Sequence, residues 1–505
     1  MMHFATKKKR IASMKNALAT LALAAVPALL LSACNGNAVG GGPGVAPVAP
    51  NAPAATSRGH RVRRDDNGPQ DLHAGGATFP AYAYNLGNQP VGSYNQPQTP
   101  PGQGSIFYAA PTVGTVYYCL TGSGFGRAAF ESNNGTTTDP CAPLGATPTG
   151  LGGRQDPPDF VGSDIAMAST ECCASGTTYY TGRLTGSVTW GQPFEFPTIG
   201  GPIVYGYRPQ DFKANVSKIK LSTWTYCAIA NGTISDWNDD AITKDNGGTS
   251  VTGGTSQPIT FFFRSDKSGT SYLYTYHLNI ACNVSFKAPY NKAPYGGPSR
   301  SAAWPYGYNQ LWPGPGSGSV PNQHFIGESG NPGVLAAIQS TPYATGYLEG
   351  AWAASANPKV GQALLQNGMN GKKAIFVDPT NKKAVANALA KVTAANITYG
   401  GGSDGNPLGS TTPWCQLYID PSHIATPPKK AYPIVGFSYW LFYGQNNGIH
   451  VSDKKTLVTF ITSSAANKLV SKLEYAPLSS SVHTAITNAL NGTGGGSGTG
   501  QPCLQ

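Results

Sequence analysis

Within seven residues the chain sets a guanidinium, a carboxylate, an ammonium and several hydroxyls side by side: Arg264-Ser265-Asp266-Lys267-Ser268-Gly269-Thr270. The run ends in Ser-Gly-Thr just before an apolar, tyrosine-rich stretch, which is how a helix starts. The first N–H groups of a helix have no carbonyl partner within it. Free N–H groups, hydroxyls and one Arg make a place suited to an oxyanion. Ser-Gly-Thr also caps ordinary helices, so this run alone leaves both readings open. Three other turns repeat the theme: Gly-Ala-Thr-Phe-Pro at 76–80, Gly-Ser-Gly at 122–124 and Gly-Ser-Asp at 162–164.

The elements that must position these turns alternate along the chain. Ile259–Phe263 is β-branched and aromatic and reads as a buried strand. It leads into Ser271–Leu278, where Tyr274 and Leu278 share a helical face. Thr78 is expected to cap a helix with Pro80 in its first turn. Val113–Leu120 is a strand before the second turn, and Asp159–Met167 is a short apolar run interrupted by Asp164. Phe194–Tyr207 is strand-rich. A helix over Leu221–Ile229, a turn over Asn231–Asn238, a helix from Asn331 and a strand at Gly346–Glu349 follow. Tyr432–Tyr443 is a long buried strand, with two helices after it near Lys454–Lys472 and Val482–Leu490. Strand and helix alternate throughout, which predicts an α/β architecture. Gly-Ser-Gly has the wrong spacing for a dinucleotide fingerprint, and no acid follows where a ribose needs one.

The four turns, in this order and at domain-scale spacing, resemble those of the periplasmic phosphate-binding protein of the phosphate-specific ABC importer, the PstS-like family. Further stretches carry the resemblance. Phe196-Pro197-Thr198-Ile199-Gly200-Gly201 is similar to the family's entry to its hinge, and Gly232–Asp239 to its Trp-containing turn. Gly346-Tyr347-Leu348-Glu349 resembles its Gly-Tyr-Val-Glu strand, and Tyr432-Pro433-Ile434 its return strand. The likeness runs from about residue 72 to 490, interrupted by loop insertions.

The resemblance implies a two-lobe type II binding-protein fold with two hinge crossovers, near Tyr205–Arg208 and Pro433–Gly436. Lobe 1 is then 71–207 plus 433–490, lobe 2 is 208–432, and 491–505 is a Gly/Ser-rich tail. It also implies the ligand set for inorganic phosphate. Thr78 donates through its hydroxyl and Phe79 through its N–H, and Ser123 donates from the second turn. Arg264 supplies the positive charge, oriented by Asp266, and Ser268, Gly269 and Thr270 close the cage. Asp164 is the discriminating residue. A carboxylate beside a dianion repels it, unless the anion carries a proton to donate. Phosphate keeps such a proton near neutral pH and sulfate does not, so the acid selects phosphate. Two positions depart from the family pattern: Lys267 stands where Gly is common, and Phe125 where a small residue is usual.

The N-terminus bounds the setting. Lys7-Lys8-Lys9-Arg10 and Lys15 precede an apolar run from Ala17 to Leu31, which ends Leu-Ser-Ala-Cys at 31–34. This is an export signal, 1–33, and the ending matches a lipobox in which Cys34 becomes the lipidated first residue. A conventional signal with a free Cys34 is the other reading. Residues 34–70 are Gly, Pro, Ala and Asn with a basic cluster, a disordered tether whose typical reach is roughly 30–35 Å. Eight of the nine cysteines follow Cys34, which in an exported chain implies disulfides whose pairing spacing cannot choose. No metal-ligand spacing occurs among Cys and His, and no cofactor is called for. The formal charge of +11 contains five positives of the signal. About +6 remains on a sparsely charged chain, which is not a nucleic-acid footprint.

The expected protein is therefore a non-enzymatic receptor, a monomer in the periplasm or cell envelope. It presents phosphate to an ABC permease in the inner membrane. The alternatives are a secreted phosphatase-like relative, for which no nucleophile–base spacing stands out, and a surface phosphate-scavenging or adhesion lipoprotein without a transporter. The insertions at 87–112, 131–158 and 283–323 read as surface elaboration, or as a partner or glycan surface.

Overall fold

The computed structural model describes residues 69–88, 101–110, 113–132, 158–169, 192–318, 320, 322–410, 412–445, 449–493 and 500–505. The signal, Cys34, nearly all of the tether, and Cys141, Cys172 and Cys173 lie outside the described residues.

Fifteen strands are described, β1 Leu72–Gly76, β2 Val116–Cys119, β3 Phe160–Ser163, β4 Gln192–Tyr207, β5 Lys220–Leu221, β6 Thr260–Arg264, β7 Phe325–Glu328 and β8 Ala344–Glu349 among them. The remainder are β9 Gly361–Gln362, β10 Leu364–Asn370, β11 Lys373–Val377, β12 Ile397–Tyr399, β13 Leu417–Ile419, β14 Val435–Gln445 and β15 Ala476–Pro477. The main sheet runs β2-β1-β3-β14-β4-β8-β6-β7, with β15 and β9 also on β4. In its first half β1 is parallel to β2 and β3. In its second half β6 is parallel to β7 and β8. Three parallel strands in each half therefore end on one edge. The chain has the mixed α/β, two-lobe type II architecture.

β4 is common to both halves. It is buried along all its length, and apart from Gln192, Glu195 and Thr198 its sequence is free of polar side chains other than tyrosine, as in strands covered on both faces. Residues Gln192–Pro202 pair with β14, and Ile203–Tyr207 with β8. The change of partner thus falls at Pro202–Ile203. Close by, Ile203 N–H donates to Ile434 O just ahead of β14, at 2.9 Å. Pro197, which has no N–H for the ladder, sits beside an irregularity where Ser438 faces Ile199 and Tyr439 faces Pro197, with Thr198 as the additional residue. Thr198 Oγ1 donates to Ser438 O at 2.9 Å and is also hydrogen-bonded to Tyr84 Oη.

Aromatic side chains fill both halves. Tyr84, Phe107, Phe160 and Trp440 pack together in the first. Phe261, Tyr274, Trp312 and Tyr347 do so in the second. Trp312 and the equally buried Trp304 belong to the 283–323 insertion. That insertion is therefore part of the core as well as of the surface. Its indoles find acceptors nearby, Trp304 Nε1 on Gly307 O and Trp312 Nε1 on Pro315 O, which offsets the cost of burying them.

Three helices rather than two end the chain: Val451–Ile461, Ser464–Lys472 and Ser480–Asn491. Ser463 starts the second by accepting from Ala466 N–H, which breaks the expected 454–472 helix in two. Disulfides join Cys227 to Cys282 and Cys415 to Cys503; the latter fastens the end of the Gly/Ser-rich tail to the body. No helix among the described residues is long and apolar enough to cross a membrane.

Candidate anion-binding site

The carboxyl ends of β1, β2 and β3 lead to Thr78-Phe79, Ser123 and Asp164, and the carboxyl end of β6 is Arg264 itself. Ligands of open α/β sheets gather at this edge. Here the edges of the two halves touch. Gly124 N–H donates to Lys267 O at 2.9 Å. Gly269 packs so closely that a Cβ there would lie 2.5 Å from Asp164 Cβ. No larger residue fits that position without moving the Asp164 turn.

Asp164 is 2% exposed and sits among three hydroxyls. Ser438 Oγ donates to Oδ1 at 2.9 Å, while Ser123 Oγ and Thr270 Oγ1 reach Oδ2 at 3.3 and 3.5 Å. Burial pushes its carboxyl up to about 7 from 3.8; the Ser438 hydroxyl, the Arg264 charge and the other two hydroxyls oppose this only in part. The group therefore exchanges its proton in the physiological range.

Arg264 is 1% exposed. Its Nε and Nη2 bind the two oxygens of Asp266 at 2.7 and 2.5 Å, a bidentate fork. Asp266 Oδ1 also accepts from Gly330 N–H at 3.0 Å. Burial raises the Asp266 carboxyl, but the guanidinium more than reverses this, so it titrates below its usual range. Arg264 Nη1 is buried and has no hydrogen-bond partner. A buried charged donor without an acceptor is costly and rare, and an anion at this edge would satisfy it.

The helix Gly269–Ala281 follows directly. Ser268 is its N-cap, accepting from Ser271 N–H at 3.2 Å. Gly269 and Thr270 are its first residues, whose N–H groups have no partner within the helix. The positive end of the helix dipole adds to the attraction for an anion.

Thr78 does not cap the helical turn that follows it. That turn is Tyr82–Leu86, preceded by Ala81 without a side-chain cap. The Thr78 hydroxyl is instead taken by Asn331, whose Nδ2 and N–H donate to it at 3.1 and 3.4 Å. Both bonds accept, so the hydroxyl proton is left to donate. Lys267 and Phe125 are exposed, so these two departures from the family pattern lie at the rim.

Contacts between turns thus bring together Ser123, Asp164, Arg264, Asp266, Gly269 and Thr270, with Ser268 capping and Thr78 joined through Asn331. Three supporting residues were missed by sequence reading. Ser438 lies on β14 opposite the irregularity at Thr198. Tyr347 Oη accepts from Arg264 N–H at 3.1 Å and is bonded to Ser271 Oγ at 2.6 Å. Asn331 starts a helix in the second half. A lone serine in the apolar run Phe437-Ser438-Tyr439 is the one available signal, since a buried hydroxyl needs a partner.

A family model described as a PBP superfamily domain matches residues 115–465. Among curated proteins, the chain is 30% identical over 269 residues to the phosphate-binding protein PstS of Methanocaldococcus jannaschii, covering 53% of this chain and 58% of the relative. It is 28% identical over 282 residues to phosphate-binding protein PstS 2 of Mycobacterium tuberculosis, covering 56% and 59%. The chain thus spans less than two thirds of the length of these relatives. Among solved structures, a high affinity periplasmic phosphate-binding protein (PfluDING) bound with phosphate shares the fold. Its TM-score is 0.55 at 19% identity, over 83% of this chain and 94% of that one. A phosphate-binding protein from Stenotrophomonas maltophilia gives 0.53 at 19% identity, over 86% and 100%. With a model that matches well over half its length, the chain belongs to the PBP superfamily, and within it is similar to the PstS phosphate-binding proteins.

Proposed function

We propose that the chain binds inorganic phosphate outside the cytoplasm, without chemistry, and hands it to an ABC permease. The observation that carries this is the pairing of opposites at one edge: the partnerless Arg264 Nη1 and, nearby, the titrating Asp164 carboxyl. An anion with no proton satisfies the first and is repelled by the second. Monohydrogen phosphate satisfies both, because its P–OH donates to Asp164 while its charged oxygens accept from Arg264, Thr78, Ser123, the Phe79 N–H and the Ser268–Thr270 turn. The names of the relatives, all phosphate-binding proteins, support the same ligand.

In this reading the lobes are 71–207 plus 433–490, and 208–432. They close on the anion by a hinge movement, and β4 with the return before β14 is the hinge. The protein acts as a monomer on a lipid anchor at Cys34, with 34–70 as its tether.

Calorimetry of the mature chain with phosphate, arsenate and sulfate tests the ligand. Tight phosphate and arsenate binding with sulfate silent is expected, and equal sulfate binding overturns the mechanism. Steady release of phosphate from p-nitrophenyl phosphate would instead mark a phosphatase.

A further inference from the structure

We propose that Glu349 is a positioning residue for the anion site: as a neutral carboxylic acid it completes a hydrogen-bond relay through Tyr475 that holds the Phe79 carbonyl. The affinity readout below rests on the phosphate reading; the other readouts do not.

Glu349 ends β8 and is fully buried. Its Oε1 accepts from Ala351 N–H at 2.9 Å. On the other side, Tyr475 Oη lies 3.0 Å from Glu349 Oε2 and 2.7 Å from Phe79 O. A phenol has one proton, and here it faces two acceptors. If Glu349 were a carboxylate, the phenol could donate to its Oε2 or to the Phe79 carbonyl, and only one of the two bonds would form. If Glu349 carries a proton, both bonds form in series. The acid donates to Tyr475, and Tyr475 donates to Phe79 O. A buried carbonyl left unpaired is destabilising, so the geometry, in which both bonds can form, favours the protonated acid.

The surroundings agree. The titratable groups that face Glu349 are Tyr475 and Glu474, and Tyr82 faces Tyr475 in turn. Glu474 is occupied on its far side by Lys382 at 3.3 Å. Burial pushes Glu349 well above the usual carboxylate range, against the donors at Ala351, Tyr475 and Trp352, and Glu474 adds to the rise.

The relay matters to the site because of what else grips the same residue. Trp352 Nε1 donates to Thr78 O at 2.8 Å, fixing the peptide that contains the Phe79 N–H. Tyr475 fixes the next peptide through Phe79 O. Both planes flanking Phe79 are thus held, and two of the residues responsible, Glu349 and Trp352, come from the second half of the sheet. The junction is tight. A Cβ on Gly201, next to the point where β4 changes partner, would lie 3.0 Å from Tyr475, 3.3 Å from Glu349 Oε1 and 3.3 Å from Phe79. The relay therefore crosses from one half to the other at the hinge itself.

The test compares wild type with Glu349→Gln, Glu349→Ala and Tyr475→Phe. Gln is neutral and keeps a donor for Tyr475; Ala and Phe break the chain. In infrared difference spectra at neutral pH without phosphate, wild type minus Glu349→Gln is expected to show the C=O band of a protonated carboxylic acid. A wild type minus Asp164→Asn spectrum separates that residue's contribution. Hydrogen exchange at the Phe79 amide is expected to match wild type in Glu349→Gln and to quicken about tenfold in Glu349→Ala and Tyr475→Phe, the loss of one hydrogen bond. Phosphate affinity should follow the same order. A carboxylate band at Glu349, or a Gln variant as impaired as Ala, overturns the relay. If the wild type binds no phosphate, the functional reading fails while the infrared and exchange results still decide this one.

Discussion

Arg264 commits Nε and Nη2 to the two oxygens of Asp266 and keeps Nη1 buried without a partner. The ion pair is thus a support with one donor to spare. Asp266 neutralises and orients the guanidinium, and Nη1 keeps its N–H groups uncommitted, available to the proposed anion.

Removing the support should expose this division of labour. Asp266→Ala leaves a buried, uncompensated guanidinium, which costs about 3–5 kcal/mol. Urea unfolding without phosphate is expected to show that loss. Saturating phosphate should restore more stability to the variant than to wild type, because the anion then supplies the missing negative charge. Equal phosphate stabilisation of both would mean that Arg264 does not face the ligand.

In the proposed mechanism Asp164 sets selectivity through its own proton. Above about pH 7 it is a carboxylate, which on this reading accepts from phosphate and repels sulfate. Below that pH it carries a proton and can donate to sulfate. Competition calorimetry across pH 5–8 is expected to show sulfate binding emerging on the acid side. Asp164→Asn, neutral throughout, should bind sulfate with no such pH dependence.

The same residue has a sign for stability. Its folded-state value lies above the unfolded 3.8, so the unfolded chain loses the proton first as pH rises. Its contribution to stability is complete below about pH 4 and declines as pH approaches 7. Asp164→Asn should therefore unfold at a higher temperature than wild type at pH 8 and at nearly the same temperature at pH 4. Calorimetric scans at the two pH values without phosphate measure this.

A second buried charge cluster lies apart from the anion site. Asp159 Oδ1 is 2.7 Å from His450 Nδ1 and 3.6 Å from Lys454 Nζ, and its Oδ2 accepts from His73 N–H at 2.8 Å. Burial lowers the Lys454 ammonium's pKa, and Asp159 opposes it. Lys454→Met is expected to cost about 3–5 kcal/mol by leaving Asp159 buried with less compensation. Lys454→Met with Asp159→Asn should recover more than half of that. Urea titrations of the double-mutant cycle decide it.

The four turns were legible because each is local. Arg264, Asp266 and Ser268–Thr270 fall within seven residues, and their chemistry is readable without knowing the fold. The residues that hold them were not legible. Ser438 reaches Asp164 from 274 positions away, and nothing about a serine in an apolar strand says which carboxylate it will meet. Thr78 read as a helix cap because its local sequence favours one, but Asn331, 253 residues on, takes its hydroxyl. Trp304 and Trp312 read as surface aromatics because Pro and Gly surround them; only the fold shows Trp312 packed against Phe261 and Tyr347, and Trp304 against Trp312.

β14 lies between β3 and β4, and this placement constrains how the molecule comes into being. Synthesis delivers β1 to β4 long before Val435. Until β14 arrives, β3 and the first half of β4 each present an unpaired edge, and such edges invite pairing with other chains. The second half needs no such wait, since β6, β7, β8 and the far end of β4 precede residue 350. The part of the chain made first is thus the part completed last, and its safe passage depends on being kept unpaired until its final strand is delivered.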